Sequence, residues 1–342
     1  MPLLLRALSI VLLSSAVCAA ETTAFSVAVP EGNYRVTVKL GASDSATSTT
    51  VKSENRRLML EDVATGPGEF VTRSFLVNVH TPKITADRSV RLKSREIGIA
   101  RWDEQLSLEF SGSRPGVRSV EVVPAGDVTT VYLAGDSTVT DQVKPPWGGW
   151  GQMLPRFFKP ERVVVSNHSE SGESLSSFVG ERRWEKMLTT LQSGDYLIIQ
   201  FGHNDMKQTG PDAGACKNYT RQLGEFIATA RQRGATPILV TPMHRLTFDA
   251  NGKISESLGD YPEAMRRVAQ EQNVMLVDLN AKSREIYESL GPERTKAAFA
   301  DETHSNEIGA FDFARFIASQ IKDSDLELAS EVIEEMPPAK MH

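Results

Sequence analysis

Cysteine is almost absent from this chain: of its 342 residues 2 are Cys, at positions 18 and 216. Cys18 sits in an apolar start that reads as a removable leader, so Cys216 is left with no partner inside the molecule. A disulfide framework is thereby excluded, and the fold must hold by its core. Long apolar runs are scarce as well. Residues 7–16 fall short of the roughly 20 residues that a membrane span needs, and no later stretch approaches that length. Stable membrane insertion is not expected. Positive charge is in deficit, with 38 Lys and Arg against 44 Asp and Glu and a net charge of -6. That balance argues against a nucleic-acid binder, because phosphate contact needs a basic surface. The chain has no Gly-x-Ser-x-Gly elbow, which disfavours the usual α/β-hydrolase. It also has no His-x-x-x-His or paired-histidine spacing, so no metal site is expected and no cofactor is called for. Internal repeats and low-complexity blocks are missing too.

What is present begins with an address label. Arg6, the apolar residues 7–16 and the small residues of Val17-Cys18-Ala19-Ala20 read as a signal peptide over 1–20. The expected location is secreted or periplasmic. A lipid anchor on Cys18 is disfavoured by the bulk of Val17. About 320 mature residues can bury a sizeable core, and that length suggests roughly two domains.

Organisation changes at Pro124-Ala125-Gly126-Asp127. Before it, residues 34–40, 70–79, 106–110 and 117–123 are rich in β-branched and aromatic side chains and separated by turn formers. They predict an all-β sandwich over 21–125. After it, short apolar runs at 128–134, 163–167, 196–201, 237–241 and 274–279 are interspersed with helical spacing at 219–233, 261–272 and 305–321. Such a rhythm predicts an α/β unit over 127–321 with a parallel sheet covered on both faces. Residues 322–342 read as an acidic C-terminal tail, a terminal helix followed by a mobile end.

Four short segments sit where such a sheet places chemistry, beyond the carboxyl ends of strands or before a helix. Gly135-Asp136-Ser137-Thr138 turns the chain after the first run and offers Ser137 as a nucleophile. A serine hydroxyl is weak until a base takes its proton, and the base must be held in one tautomer. Asp301 and His304 are spaced for that on one local turn. The third need is a set of fixed donors for the carbonyl oxygen as it gains charge. The N–H groups of Ser137 and Gly172 and the side-chain amide of Asn204 supply an oxyanion hole. Taken singly, each segment also reads as a loop: Gly-Asp-Ser as a turn, Asp301 as a helix cap, His304 as a surface residue. The joint pattern carries the reading. A set of metal ligands from His203, Asp205, Asp301 and His304 finds no support in their spacing.

These four blocks resemble those of the SGNH (GDSL-type) hydrolases. Gly149-Trp150-Gly151-Gln152, Thr241-Pro242-Met243-His244-Arg245, Gly259-Asp260-Tyr261-Pro262 and the run from Thr303 to Ala310 sharpen the resemblance to rhamnogalacturonan acetylesterases, carbohydrate esterase family 12. It spans about residues 127–321. The resemblance implies a three-layer α/β/α sandwich with a flavodoxin-like parallel sheet and a triad of Ser137, Asp301 and His304. It implies O-acetyl groups on pectin, the polysaccharide or its oligosaccharides, as substrate. Residues before Asp127 resemble a galactose-binding-like sandwich. Two departures stand out. Glu173 follows Gly172 where a basic residue is expected, and Ser257-Leu258 replaces a Thr-His pair. An added carboxylate near an anionic polymer repels it. The stretch between Leu290 and Asp301 is short for the family, which implies a more open cleft.

Substrate contacts are expected from Trp147, His203, His244 and Arg245, with Arg182, Arg183 and Lys207 as further cations. Trp150 is expected in the core. The reaction read from these residues is ester hydrolysis through an acetyl-serine. Activity should fall on acidification through an imidazole whose free-side-chain pKa is about 6.5. The alternatives are an SGNH lipase or thioesterase acting on another ester, and a non-catalytic glycan-binding protein.

Overall fold

The computed structural model describes residues 22–126 and 128–341, together with the backbone of Leu8–Ile10 (β1). The leader expected at 1–20 otherwise lies outside the described residues. Seven further strands follow: β2 Thr23–Ala28, β3 Gly32–Leu40, β4 Thr47–Ser53, β5 Arg57–Thr65, β6 Val71–Val79, β7 Gln105–Arg114 and β8 Val117–Pro124. They form two antiparallel sheets, in the orders β1-β8-β3-β6 and β2-β7-β4-β5. Alternation fixes which face points inward. Tyr34, Val36, Val38 and Leu40 of β3 are buried, and they share a core with Phe75, Val51, Leu106 and Phe110.

Four of these eight strands, β1, β2, β4 and β5, lie outside the runs read as strands from the sequence. In β4 the inward positions are Thr47, Thr49, Val51 and Ser53, so the apolar alternation is muted. Hydroxyl pairing replaces it: the Oγ1 atoms of Thr47 and Thr65 are 2.7 Å apart, and Thr49 Oγ1 accepts from Gly116 N. β5 opens on a buried Arg57, which no hydropathy pattern marks as a strand.

Strands β9 Thr129–Gly135, β10 Val163–Asn167, β11 Tyr196–Gln200, β12 Thr236–Val240 and β13 Met275–Val277 make one parallel sheet in the order β10-β9-β11-β12-β13. Both faces are covered. Leu197, Ile199 and Leu239 face a layer built from α2 Leu175–Gly180, α3 Arg183–Leu188, α4 Thr220–Gln232 and α5 Tyr261–Gln272. Ile198, Ile238 and Val240 face the opposite layer, with α1 Trp150–Met153, α6 Leu279–Lys296 and α7 Glu307–Lys322. The three-layer sandwich follows, preceded by the antiparallel sheets. Trp150 is fully buried, with its indole N–H on Gln200 Oε1 at 2.8 Å. The apolar spacing of α6 is weak and Gly291 and Pro292 interrupt it, so the sequence did not announce this helix. Among the described residues, no helix is long and apolar enough to cross a membrane.

The end of the chain corrects the expectation of a mobile tail. Leu328 and Val332 are buried, Val332 bridges Phe158, and the backbone N–H of Lys340 is held by Asp312. The all-β part also joins the α/β part through a buried pair, Arg57 Nε to Asp141 Oδ2 at 2.5 Å.

Candidate active site

The strand order puts β9 between β10 and β11. Loops that leave their carboxyl ends therefore meet. At the end of β9 a β-carbon on Gly135 would lie 2.5 Å from Val139 Cγ2, so only glycine fits there. Asp136 then folds the loop back on itself: its Oδ1 accepts from Thr138 N at 2.9 Å and Thr138 Oγ1 at 2.8 Å. Burial opposes ionisation of Asp136, but His203 and the Thr138 bonds outweigh it and its pKa is lowered. The turn leaves the Ser137 side chain beside the loop that precedes α7.

Ser137 Oγ is 2.8 Å from His304 Nε2. The Nδ1–H of the same ring faces both Asp301 oxygens, at 2.9 and 2.8 Å. Asp301 Oδ1 also accepts the backbone N–H groups of Thr303 and His304, each at 2.8 Å, and Trp147 Nε1 donates to Oδ2 at 3.2 Å. Burial alone would raise Asp301, yet these bonds hold it down to about 2. The helix cap that Asp301 might have served is Asn306, whose Oδ1 accepts from Ile308 N and Gly309 N. Asp301 is thus free for the imidazole.

The oxyanion candidates lie on the three adjoining loops. Glu170 N bonds Gly135 O, and Asn204 Nδ2 donates to Glu173 O at 3.0 Å, leaving its second N–H. His203 Nδ1 lies 3.2 Å from Asp136 Oδ2, which ties the β11 loop to the Ser137 turn. Gly172 has φ +82°, a left-handed conformation. Among the described residues, neither Ser137 N–H nor Gly172 N–H has a protein acceptor.

Several expected substrate contacts need correction. His203 is buried between Asp136 and Met243 O, the latter at 3.0 Å from Nε2. His244 is also fully buried, and burial lowers its pKa to about 4. Neither ring meets solvent, because both pack under the loops instead of lining them. Arg245 is half-buried and joins loops through Thr303 Oγ1, Ser257 O and His203 O. Trp147 is half-buried with its N–H spent on Asp301. Arg183 is buried among Glu96, Glu173 and Glu181. Glu173 likewise turns inward and pairs with Lys93 and Arg183, so its carboxylate does not face a substrate.

Residues that sequence reasoning missed come from the all-β part. Lys93 and Arg95 both donate to Ser171 O, and buried Arg101 reaches Ser169 O, Glu170 and Thr140. They lie in an irregular segment with no motif and 39 to 78 residues before their partners, so nothing local signals them.

A doubly covered parallel sheet with a serine, imidazole and carboxylate at its carboxyl edge defines a serine-type ester hydrolase. The chain belongs to the GDSL-like lipase/acylhydrolase family, whose model matches residues 133–310. It is a carboxylic ester hydrolase of that SGNH class. It is 40% identical over 220 residues to the rhamnogalacturonan acetylesterase RhgT of Bacillus subtilis, covering 59% of this chain and 94% of that one. The probable rhamnogalacturonan acetylesterase YesY of the same organism is 36% identical over 214 residues, covering 60% of this chain and 98% of its own. The crystal structure of the YxiM protein of Bacillus subtilis superposes with a TM-score of 0.56 at 26% identity, over 89% of this chain and 81% of that one.

Proposed function

We propose that this chain removes O-acetyl groups from acetylated pectic polysaccharide, with rhamnogalacturonan as the backbone, outside the cytoplasm in the medium or periplasm. The observation that carries the reading is the unbroken line from Asp301 through His304 to Ser137 Oγ, with contacts of 2.8 to 2.9 Å. The likeness to RhgT and YesY supports the choice of substrate.

In the proposed reaction His304 Nε2 takes the Ser137 proton as Oγ attacks the acetyl carbonyl. The tetrahedral oxygen is met by the N–H groups of Ser137 and Gly172 and the free amide N–H of Asn204. Removal of one such donor costs about 2.7 to 4 kcal/mol in comparable sites. Protonated His304 then gives its proton to the sugar oxygen, which leaves. Water, deprotonated by the same imidazole, attacks acetyl-Ser137 and releases acetate. The chemistry asks for no further group.

The test is acetate release from acetylated rhamnogalacturonan, xylan and mannan by the parent and by Ser137→Ala. A drop of at least about 10³-fold in the variant is expected, with the pectic polymer the best substrate of the parent. Parent-level turnover in Ser137→Ala would end the assignment. Stronger release from xylan or mannan would move the substrate.

A further inference from the structure

We propose that Lys93 and Arg95, carried by the all-β part of the chain, are positioning residues for the oxyanion hole: they fix the Ser171–Gly172 peptide so that its N–H faces the reacting carbonyl. The inference rests on reading Gly172 N–H as one of the donors. That N–H belongs to the same planar amide as the carbonyl of Ser171. In a trans peptide the C=O and N–H point to opposite edges. Whatever holds the oxygen therefore aims the hydrogen.

Two cations hold it. Lys93 Nζ donates to Ser171 O at 2.8 Å, and Arg95 Nη2 donates to the same oxygen. A β-carbon on Gly172 would lie 3.7 Å from Lys93 Nζ and 3.8 Å from Arg95 Nη2, so both cations border the glycine itself. Each is anchored in turn. Lys93 pairs with buried Glu173, and Arg95 Nε donates to Glu170 Oε1 at 2.9 Å. The other oxygen of Glu170 accepts from Arg101 Nη1 at 2.7 Å, and Arg101 Nη2 donates to Ser169 O. The all-β part thus grips two carbonyls of one short loop.

A grip is needed because glycine lacks the side chain that would restrict its peptide, and at φ +82° nothing intrinsic selects this orientation over a flipped one. Charge-assisted bonds at the oxygen also strengthen donation from the N–H, since hydrogen bonds in a chain polarise one another. The basic residue expected directly after Gly172 is replaced by Glu173. Positive charge returns to the same place from a segment nearly 80 residues earlier. Lys93 Nζ is directed at Ser171 O and Glu173, and Arg95 spends Nε on Glu170 and Nη2 on Ser171 O, which favours positioning over direct capture of a substrate carboxylate.

The experiment uses the full chain and p-nitrophenyl acetate, an uncharged ester with no sugar. Lys93→Met, Arg95→Gln, their double variant and the conservative pair Lys93→Arg and Arg95→Lys are compared. For the double variant kcat should fall about 10- to 100-fold with KM changed less than about 2-fold, and each conservative variant should recover most of its loss. Thermal unfolding should move little in Arg95→Gln, whose side chain is 53% exposed, so that variant alone carries the test if the double variant does not fold. Parent-level kcat on p-nitrophenyl acetate overturns the proposal. So does a loss confined to anionic polymer, which would make the cations substrate-binding groups. A loss that tracks thermal unfolding and is not rescued by the conservative variants also overturns it. Ser137→Ala run alongside separates the two readings: activity surviving there removes the catalytic assignment, whereas activity surviving only in the Lys93 and Arg95 variants removes this one.

Discussion

Asp301 is the residue on which the candidate site turns, because its carboxylate decides which nitrogen of His304 carries the proton. Its folded pKa of about 2 lies below the ordinary carboxylate value. A depressed carboxylate contributes its stabilisation above the unfolded pKa and loses it as pH falls toward the folded one, here from about 4 to about 2. Asp301 therefore stays ionised through the range in which an esterase is assayed. Loss of activity as the pH is lowered from 8 to 5 is therefore not expected to report protonation of Asp301. Asp301→Asn keeps the shape but presents an amide, and kcat should fall about 10³- to 10⁴-fold. A pH–rate profile of parent and variant checks both statements, and a variant that retains more than a tenth of parental kcat contradicts the role. That Ser137, Asp301 and His304 belong together was legible from residue type and spacing, and their side chains do meet. Their rivals as loop formers were not separable until Asn306 was seen to hold the helix start. His203 and His244 misled for a physical reason: a polar residue beside a motif reads as accessible, and only packing shows that the ring lies beneath the loop.

At the scale of elements, the strands and helices with clean periodicity could be read and those built from other forces could not. Helix α5 over Tyr261–Gln272 matches its apolar spacing, with Ala264, Met265, Val268 and Ala269 buried. Strand β4 hides behind threonines, and α6 behind an internal Gly-Pro break. Helix α7 begins on an Asn306 cap, and this sets where the His304 loop ends. Asn306→Ala is expected to cost about 1 kcal/mol of stability through the lost cap. Chemical denaturation measures that. Because Asn306 Nδ2 also donates to Ala297 O at 2.7 Å, the loop between them should loosen and kcat should fall with the stability. An unchanged denaturation midpoint would show that the cap is dispensable.

Over the whole molecule, the division into an antiparallel part and an α/β part was visible in the change of rhythm near residue 125, but the seam between them was not. Many of its side chains are polar and charged, spread over distant positions, and they match only in space. Arg57 and Asp141 are 2% and 0% exposed at that seam, and Arg57 Nη1 also holds Asn78 O at 3.1 Å. His80 and His168 stack there with ring centroids 4.5 Å apart. Arg57→Ala leaves a buried carboxylate with its cation removed, which typically costs about 3 to 5 kcal/mol. Calorimetry should show that loss as a lower midpoint, whereas the paired Arg57→Met, Asp141→Leu variant should recover much of it. Equal destabilisation by the single and paired changes would mean that packing, not charge, governs the seam.

The stretch around Pro124-Ala125-Gly126 looks on a linear map like an ideal crossover point for building chimaeras. The Lys93 and Arg95 contacts to Ser171 make it a poor one. A hybrid that joins this hydrolase half to a foreign leading half would keep Ser137, Asp301 and His304, yet it would inherit a different hand on the loop beside Ser137.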